Sequence, residues 1–191
     1  TNTRLFAVQA TPVIQQYLDI KADNQDSLLF FRMGDFYELF FSDAELASST
    51  LDIILTKRGQ HRGKAIPMCG VPFHSAEGYI KKLLDNNIKV AICEQLETPK
   101  EAKKRGYKEI VKRDVVRIIT PGTKLEESFL VQKENNILMA LFFFDSAWTS
   151  CWIDISTGLF KSTTTSETQL LSMIDQIFPN ETIAYKNKQE L

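Results

Sequence analysis

Residues 27–41 constrain the fold of this chain more than any other stretch. Leu28-Leu29-Phe30-Phe31 is apolar at every position, so an extended segment there has no face to turn toward water. Such a strand suits burial on both faces inside a sheet, with cover above and below. Gly34-Asp35 is a turn signal, and a second apolar-aromatic stretch, Phe36 to Phe41, follows at once. The pattern predicts a tight hairpin, or a strand with a sharp bend.

Helical patterns surround this pair. Thr11-Pro12 is a helix start, with Thr as cap and Pro at the first helical position, followed by Val13, Ile14, Tyr17 and Leu18 at helical spacing. Ser42 to Glu45 has the Ser-x-x-Glu capping-box pattern and predicts a short helix through about Ser49, after which Leu51 to Thr56 is strand-like. Pro67 and Pro72, beside Gly63 and Gly70, predict an irregular loop ending at Ser75, the expected cap of a helix that carries Tyr79, Ile80, Leu83 and Leu84. Val90 to Cys93 reads as a buried strand, Pro99 to Tyr107 as a polar helix or loop, and Val111 to Thr120 as a strand with basic residues at Lys112, Arg113 and Arg117.

Pro121-Gly122 marks a strong break. Beyond it, Ile137 to Asp145, Thr149 to Ile155 and Gly158 to Thr163 read as three strands of an antiparallel meander. Ser166 to Gln169 is a second capping-box pattern, opening a helix with Leu170, Leu171, Met173, Ile174, Ile177 and Phe178; Pro179 stops it, and a further strand starts near Ile183. The expectation is a mixed α/β fold with a central sheet flanked by helices, then the beginning of a second α/β unit cut from a longer chain. The expected divisions are a first domain at residues 1–116, a linker at 117–126 and the incomplete second unit at 127–191.

Composition excludes several classes. With 43% hydrophobic and 25% charged residues among 191, disorder and collagen-like repeats are disfavoured. The longest apolar run, Ile137 to Phe144, is too short to span a bilayer, and Thr1 to Ala10 lacks the plan of a signal peptide, so a soluble, non-secreted chain is expected. Cys69, Cys93 and Cys151 are odd in number and widely spaced; with only His61 and His74 beside them and no CxxC, they suit buried thiols and not a zinc site. The net charge of -1 hides an asymmetry. Residues 57–64 carry four basic and no acidic residues, and residues 100–124 carry nine basic against three acidic, so the remainder is an acidic body. Such basic runs serve either as solvated faces or as local nucleic-acid footprints.

The stretch Arg32-Met33-Gly34-Asp35-Phe36-Tyr37-Glu38-Leu39-Phe40 holds the most informative residues. Strand residues alternate faces, so Phe36 and Glu38 share one side and Tyr37 takes the other. Spacing alone favours a core aromatic beside a solvated rim charge. Six blocks in fixed order decide further: TPVIQQYL, RMGDFYELF, LTKRG, IPMCGVPFHS, VAICEQ and VVRIITPGT, over residues 11–123. Together they resemble the N-terminal part of the MutS family of DNA mismatch-recognition proteins. The region after Thr123 resembles, in pattern more than in motif, the start of that family's RNase H-like connector domain.

The resemblance implies a mismatch reader made of Phe36 and Glu38: the ring enters from the minor groove and stacks on the mispaired base, and the carboxylate hydrogen-bonds the displaced base. Having both residues also sets the chain apart from paralogues specialised in recombination. Lys57, Arg58, Arg62 and Lys64 are candidate phosphate contacts. Met68 is a candidate neighbour of the kinked DNA or a core residue, and His74 a phosphate contact or a satisfied loop histidine. No GxxxxGK[ST] is present, so the ATPase of this family has no counterpart in these residues, and no cofactor is expected for them. For the whole protein the resemblance implies ATP and Mg²⁺, a homodimer around double-stranded DNA carrying mismatches or small loops, a MutL-type partner, no membrane, and a bacterial cytoplasmic, nucleoid-associated location. A metal-dependent nuclease or junction resolvase is the rival class; it would draw on Asp35, Glu38, Asp43 and Asp52, or on Asp145 and Asp154, none at a diagnostic spacing.

Overall fold

The computed structural model describes residues 10–123 and 135–185. The chain divides into two compact units, Thr1–Ile119 and Thr120–Leu191. Residues 124–126 of the expected linker and 127–134 of the expected second unit lie outside the described residues, as do 186–191. Residues 117–119, also expected in the linker, are the end of a strand.

The first unit is built on a six-stranded mixed sheet. Its strands are β1 (Leu28–Met33), β2 (Phe36–Phe40), β3 (Thr56–His61), β4 (Lys64–Pro72), β5 (Val90–Gln95) and β6 (Arg113–Ile119), in the order β3-β4-β2-β1-β5-β6. β1 pairs antiparallel with β2 and parallel with β5, so the fully apolar strand sits inside the sheet, and Leu28 to Phe31 are all buried. Helix α1 (Pro12–Asp23) starts as the sequence predicts, with the Thr11 hydroxyl accepting from the Ile14 amide. It lies on one face, where Ile14 and Tyr17 pack with Leu29, Phe31, Phe40, Ile66, Ala91 and Cys93. Helices α2 (Phe41–Leu51), α3 (Ala76–Asp85) and α4 (Pro99–Arg105) complete the unit. α2 packs on β4, and Cys69 donates to the Ala44 carbonyl.

Asp43 ties this architecture together. Its buried carboxylate accepts from the Leu29 amide at 2.9 Å and the Tyr17 hydroxyl at 3.2 Å, and pairs with Lys21 at 2.9 Å. One side chain of α2 thus joins α1 to the central strand, and the charge that burial would penalise is matched by a cation and two donors.

Four local expectations need correction. α2 begins at Phe41 straight off β2, with Phe40 as cap and Phe41 at φ +55, so Ser42 already lies inside the helix and forms no capping box. Residues 51–56 are not a strand: Leu51 ends α2, Asp52 closes it in the left-handed region, and β3 starts only at Thr56. The expected loop around Pro67 and Pro72 is β4, paired on both sides. Its prolines are tolerated because Pro67 lies one residue beyond the β2 ladder, which ends at Phe40–Met68, and Pro72 closes the strand. Ser75 precedes α3, but a 3₁₀ turn over Phe73–Ser75 leads in, and the Ser75 hydroxyl donates back to the Pro72 carbonyl without capping the helix.

The second unit has β7 (Ile137–Phe144), β8 (Ala147–Asp154), β9 (Leu159–Thr165), α5 (Glu167–Ile177) and β10 (Glu181–Tyr185), in the sheet order β10-β7-β8-β9. The meander β7-β8-β9 is antiparallel, and β10 returns parallel to β7. α5 covers one face through Leu170, against Met139 and Leu141 with Trp148 and Trp152 alongside. Ser166 caps α5 by position only; its hydroxyl donates to the Gln169 side chain and leaves the box open.

Candidate nucleic-acid interface

The site grows from the turn between β1 and β2. Gly34 takes φ +62 at the first central position of a two-residue connection, where a type II′ hairpin calls for glycine. The turn is tied on both sides. The Gly34 amide donates to Gln95 Oε1 at 2.9 Å, Arg32 Nε donates to the Gly34 carbonyl, and the Phe73 amide donates to the Asp35 carbonyl at 2.8 Å. The hairpin tip is therefore anchored to β5 and to the end of β4.

Behind the tip is a packed polar-aromatic layer. The Arg32 guanidinium lies 3.4 Å from the centroid of Phe73, whose ring meets that of Tyr37 at 5.7 Å. The Tyr37 hydroxyl donates to Glu94, which also faces Arg32 at 3.6 Å. Burial, and then the Glu94 carboxylate, push the Tyr37 pKa up, so the phenol stays a donor. Beneath β1, Arg113 donates to the Arg32 carbonyl at 2.7 Å and to Gln16 at 3.1 Å, with its guanidinium over Phe31; its burial lowers its own pKa.

With Tyr37 turned into the protein, Phe36 and Glu38 emerge together on the other face, as strand alternation predicts. Phe36 is 47% exposed at the tip of the tied hairpin, and Phe73 just after β4 is 45% exposed, so two half-exposed rings lie at this end of the sheet. The Glu38 side chain is only 14% exposed, because Arg58 Nη1 on β3 donates to both its carboxylate oxygens. That ion pair spans β4, whose residue opposite Glu38 is Gly70. A Cβ on Gly70 would lie 3.8 Å from Glu38 Cγ and 3.9 Å from Phe36 Cδ1, so the missing side chain leaves room for both. Neither Gly70 nor the Arg58–Glu38 pairing was legible as part of the site in sequence; only the strand register brings them there.

The other expected contacts separate. Lys57 is exposed on β3. Arg62 and Lys64 are exposed at the β3–β4 tip, where Arg62 and Gly63 take φ +49 and +76. Lys64 and Pro72 are the two ends of β4, and Pro72 is the partner of Phe36. The tip thus lies about 27 Å from the ring along a regular strand. Among the described residues, Lys57, Arg62 and Lys64 have no ion-pair partner. Met68 is half-buried against the α1 core, opposite Phe40 and Thr56. His74 is exposed in the 3₁₀ turn after β4.

The carboxylates of the rival nuclease reading are dispersed. Asp43 is held by Lys21, Tyr17 and Leu29, and Asp52 caps α2. Asp145 lies in the β7–β8 turn at φ +49. Asp154 accepts from Ser156 and Asn136, and the Ser156 hydroxyl above all holds its carboxyl below the usual range. Among the described residues no three His, Cys, Asp or Glu are grouped to hold a metal, and no helix is long and apolar enough to cross a membrane.

The first unit is thus a mixed α/β domain that presents an exposed ring and an ion-paired carboxylate on a tied hairpin, beside a basic edge strand. Residues 11–128 match the family MutS domain I. The chain is 56% identical over 178 residues to the DNA mismatch repair protein MutS of Rhizobium meliloti (strain 1021), an alignment covering 91% of this chain and 19% of that protein. The chain therefore belongs to the MutS family, and it spans about a fifth of the length of that relative.

Proposed function

We propose that residues 11–123 recognise mispaired or looped-out bases in double-stranded DNA, with Phe36 as the wedge and Glu38 as the hydrogen-bonding partner of the displaced base. The observation that carries this reading is the exposed Phe36 at the tip of a hairpin tied on both sides, with Glu38 beside it on one face. Inserting a ring between base steps costs a few kcal/mol of unstacking, and least where pairing is already defective. Stacking on the ring returns about 1–3 kcal/mol. The balance turns favourable at a mispair and unfavourable on matched DNA, so a defect is found without reading sequence. A rigid turn matters because the ring is already presented, and no ordering cost is added at the moment of insertion.

Glu38 adds discrimination. Its carboxylate is held by Arg58 in the free protein, and a displaced base offers it a further donor more readily than a stacked pair does. Lys57, Arg62 and Lys64 supply salt-dependent attraction to the backbone. In the intact protein, ATP and Mg²⁺ act through residues outside this chain, the protein closes on DNA as a homodimer, and a MutL-type partner follows, with the second unit as a connector of RNase H-like type. These residues perform no covalent chemistry, and the protein works at the nucleoid. Binding of the intact protein to a labelled duplex with one mispair, against its matched counterpart, tests the reading. Preference for the mispair, with Glu38→Gln gaining affinity for matched DNA, supports it. Equal affinity for both duplexes, or Mg²⁺-dependent cleavage abolished by an Asp→Asn change, refutes it.

A further inference from the structure

We propose that Arg58 is a specificity-determining residue: it stays on Glu38 over matched DNA, and a mispaired base that takes the Glu38 carboxylate frees Arg58 to bind a phosphate. The proposal rests on the reading of Phe36 and Glu38 as the mismatch reader.

Four observations carry it. First, Arg58 Nη1 donates to both oxygens of Glu38, so the carboxylate is occupied before DNA arrives. Second, the pair is open at one end: the Arg58 side chain is 47% exposed and that of Glu38 14%. A pair with one exposed partner is weakly held and can exchange partners in a polyanionic groove. Third, the local backbone aims the guanidinium. The β3–β4 register shifts between Lys57 and Gln60, and Gly59 within the bulge has φ +69. A bulge of this kind redirects a side chain. Fourth, Gly70 on the intervening strand places no side chain between the partners.

The charges then work as an exchange. Over matched DNA the Glu38–Arg58 pair is neutral, adding neither carboxylate repulsion nor phosphate attraction. At a mispair the displaced base satisfies Glu38, and Arg58, relieved of its counter-ion, neutralises one phosphate. The phosphate contact of Arg58 is thus conditional on the base contact of Glu38, whereas those of Lys57, Arg62 and Lys64 are not. A hydrogen bond from a base leaves the carboxylate anionic, so the exchange moves no net charge; what it changes is Arg58, which contacts a phosphate on mispaired DNA and none on matched DNA.

The test is fluorescence anisotropy on the intact protein with labelled duplexes, one with a central G·T mispair and one matched, in which single phosphates near the central pair are replaced in turn by neutral methylphosphonates. In wild type one replacement should weaken mispair binding several-fold and leave matched binding unchanged. Arg58→Gln should lose that sensitivity, and Glu38→Gln, which frees Arg58 without a mispair, should make the matched duplex sensitive at the same phosphate. Stability loss from a broken surface pair would not move the response to a single phosphate. No replacement that separates the two duplexes in wild type, or one whose effect survives Arg58→Gln, overturns the proposal. Phe36→Ala separates the two levels: unchanged discrimination there refutes the mismatch reading itself, while lost discrimination with no Arg58-dependent phosphate in wild type refutes only the role of Arg58.

Discussion

Gly70→Val should blunt mismatch discrimination without unfolding the protein. Gly70 has ordinary extended backbone, so the change is tolerated by φ and ψ and acts through space alone. A Cβ there would lie 3.3 Å from the Tyr37 carbonyl oxygen, 3.8 Å from Glu38 Cγ and 3.9 Å from Phe36 Cδ1. Alanine would touch both reader residues at ordinary contact distance, and the strand would give slightly at Tyr37. Valine adds two methyls that reach about 1.5 Å further and overlap one or both side chains. Relief requires rotating the Phe36 ring or pushing Glu38 off Arg58. Overpacking at this partly open position costs about 1–3 kcal/mol of stability, partly offset by the lower entropy of the unfolded chain. Losing the stacking of a misdirected ring costs about 1–3 kcal/mol of mispair affinity, or about 5- to 150-fold. Matched affinity, which does not use the wedge, should change little where the ring gives way and rise where Glu38 is pushed off Arg58. Thermal unfolding and anisotropy on mispaired and matched duplexes read the two effects separately. A folded Gly70→Val protein that discriminates as wild type does would refute the reasoning.

Asp43→Ala should destabilise the first unit by about 3–5 kcal/mol, because it strands the Lys21 charge, the Tyr17 hydroxyl and the Leu29 amide, while Asp43→Asn, which keeps an acceptor for the amide, should cost less; urea unfolding checks the order. Burial raises the thiol pKa values of Cys69 to about 11 and of Cys93 to about 12, and also pushes the Tyr17 phenol up. The folded state therefore keeps these protons while the unfolded chain releases them. Their stability contribution is full below about pH 9 and falls as pH rises toward 11–12. Denaturation midpoints measured from pH 8 upward should fall, and Cys69→Ser with Cys93→Ala should flatten the slope.

Elements set by local signals were legible in the sequence. Thr11-Pro12 started α1, Gly34-Asp35 turned the β1–β2 hairpin, and the apolar run at Leu28–Phe31 lies inside the sheet. β4 was not, because its prolines and glycines carry the local signature of a loop, and pairing with β2 and β3 overrides it. Capping boxes were a poor guide for the same reason. Those at Ser42 and Ser166 do not close, while Thr98 and Glu101 form one at the start of α4, in a segment that reads from sequence as a polar helix or a loop. At the site, strand alternation placed Phe36 and Glu38 on one face. The partner of Glu38 was hidden, since Arg58 reaches it from two strands away through a bulge and past a glycine, and no spacing in the sequence encodes that.

The most direct test of the account is binding of the intact protein, wild type against Phe36→Ala, to mispaired and matched duplexes across a range of salt. The ring is exposed at the hairpin tip, so its removal should leave the fold intact. Discrimination should vanish while the salt-dependent affinity for matched DNA persists. Undiminished discrimination by Phe36→Ala would contradict it.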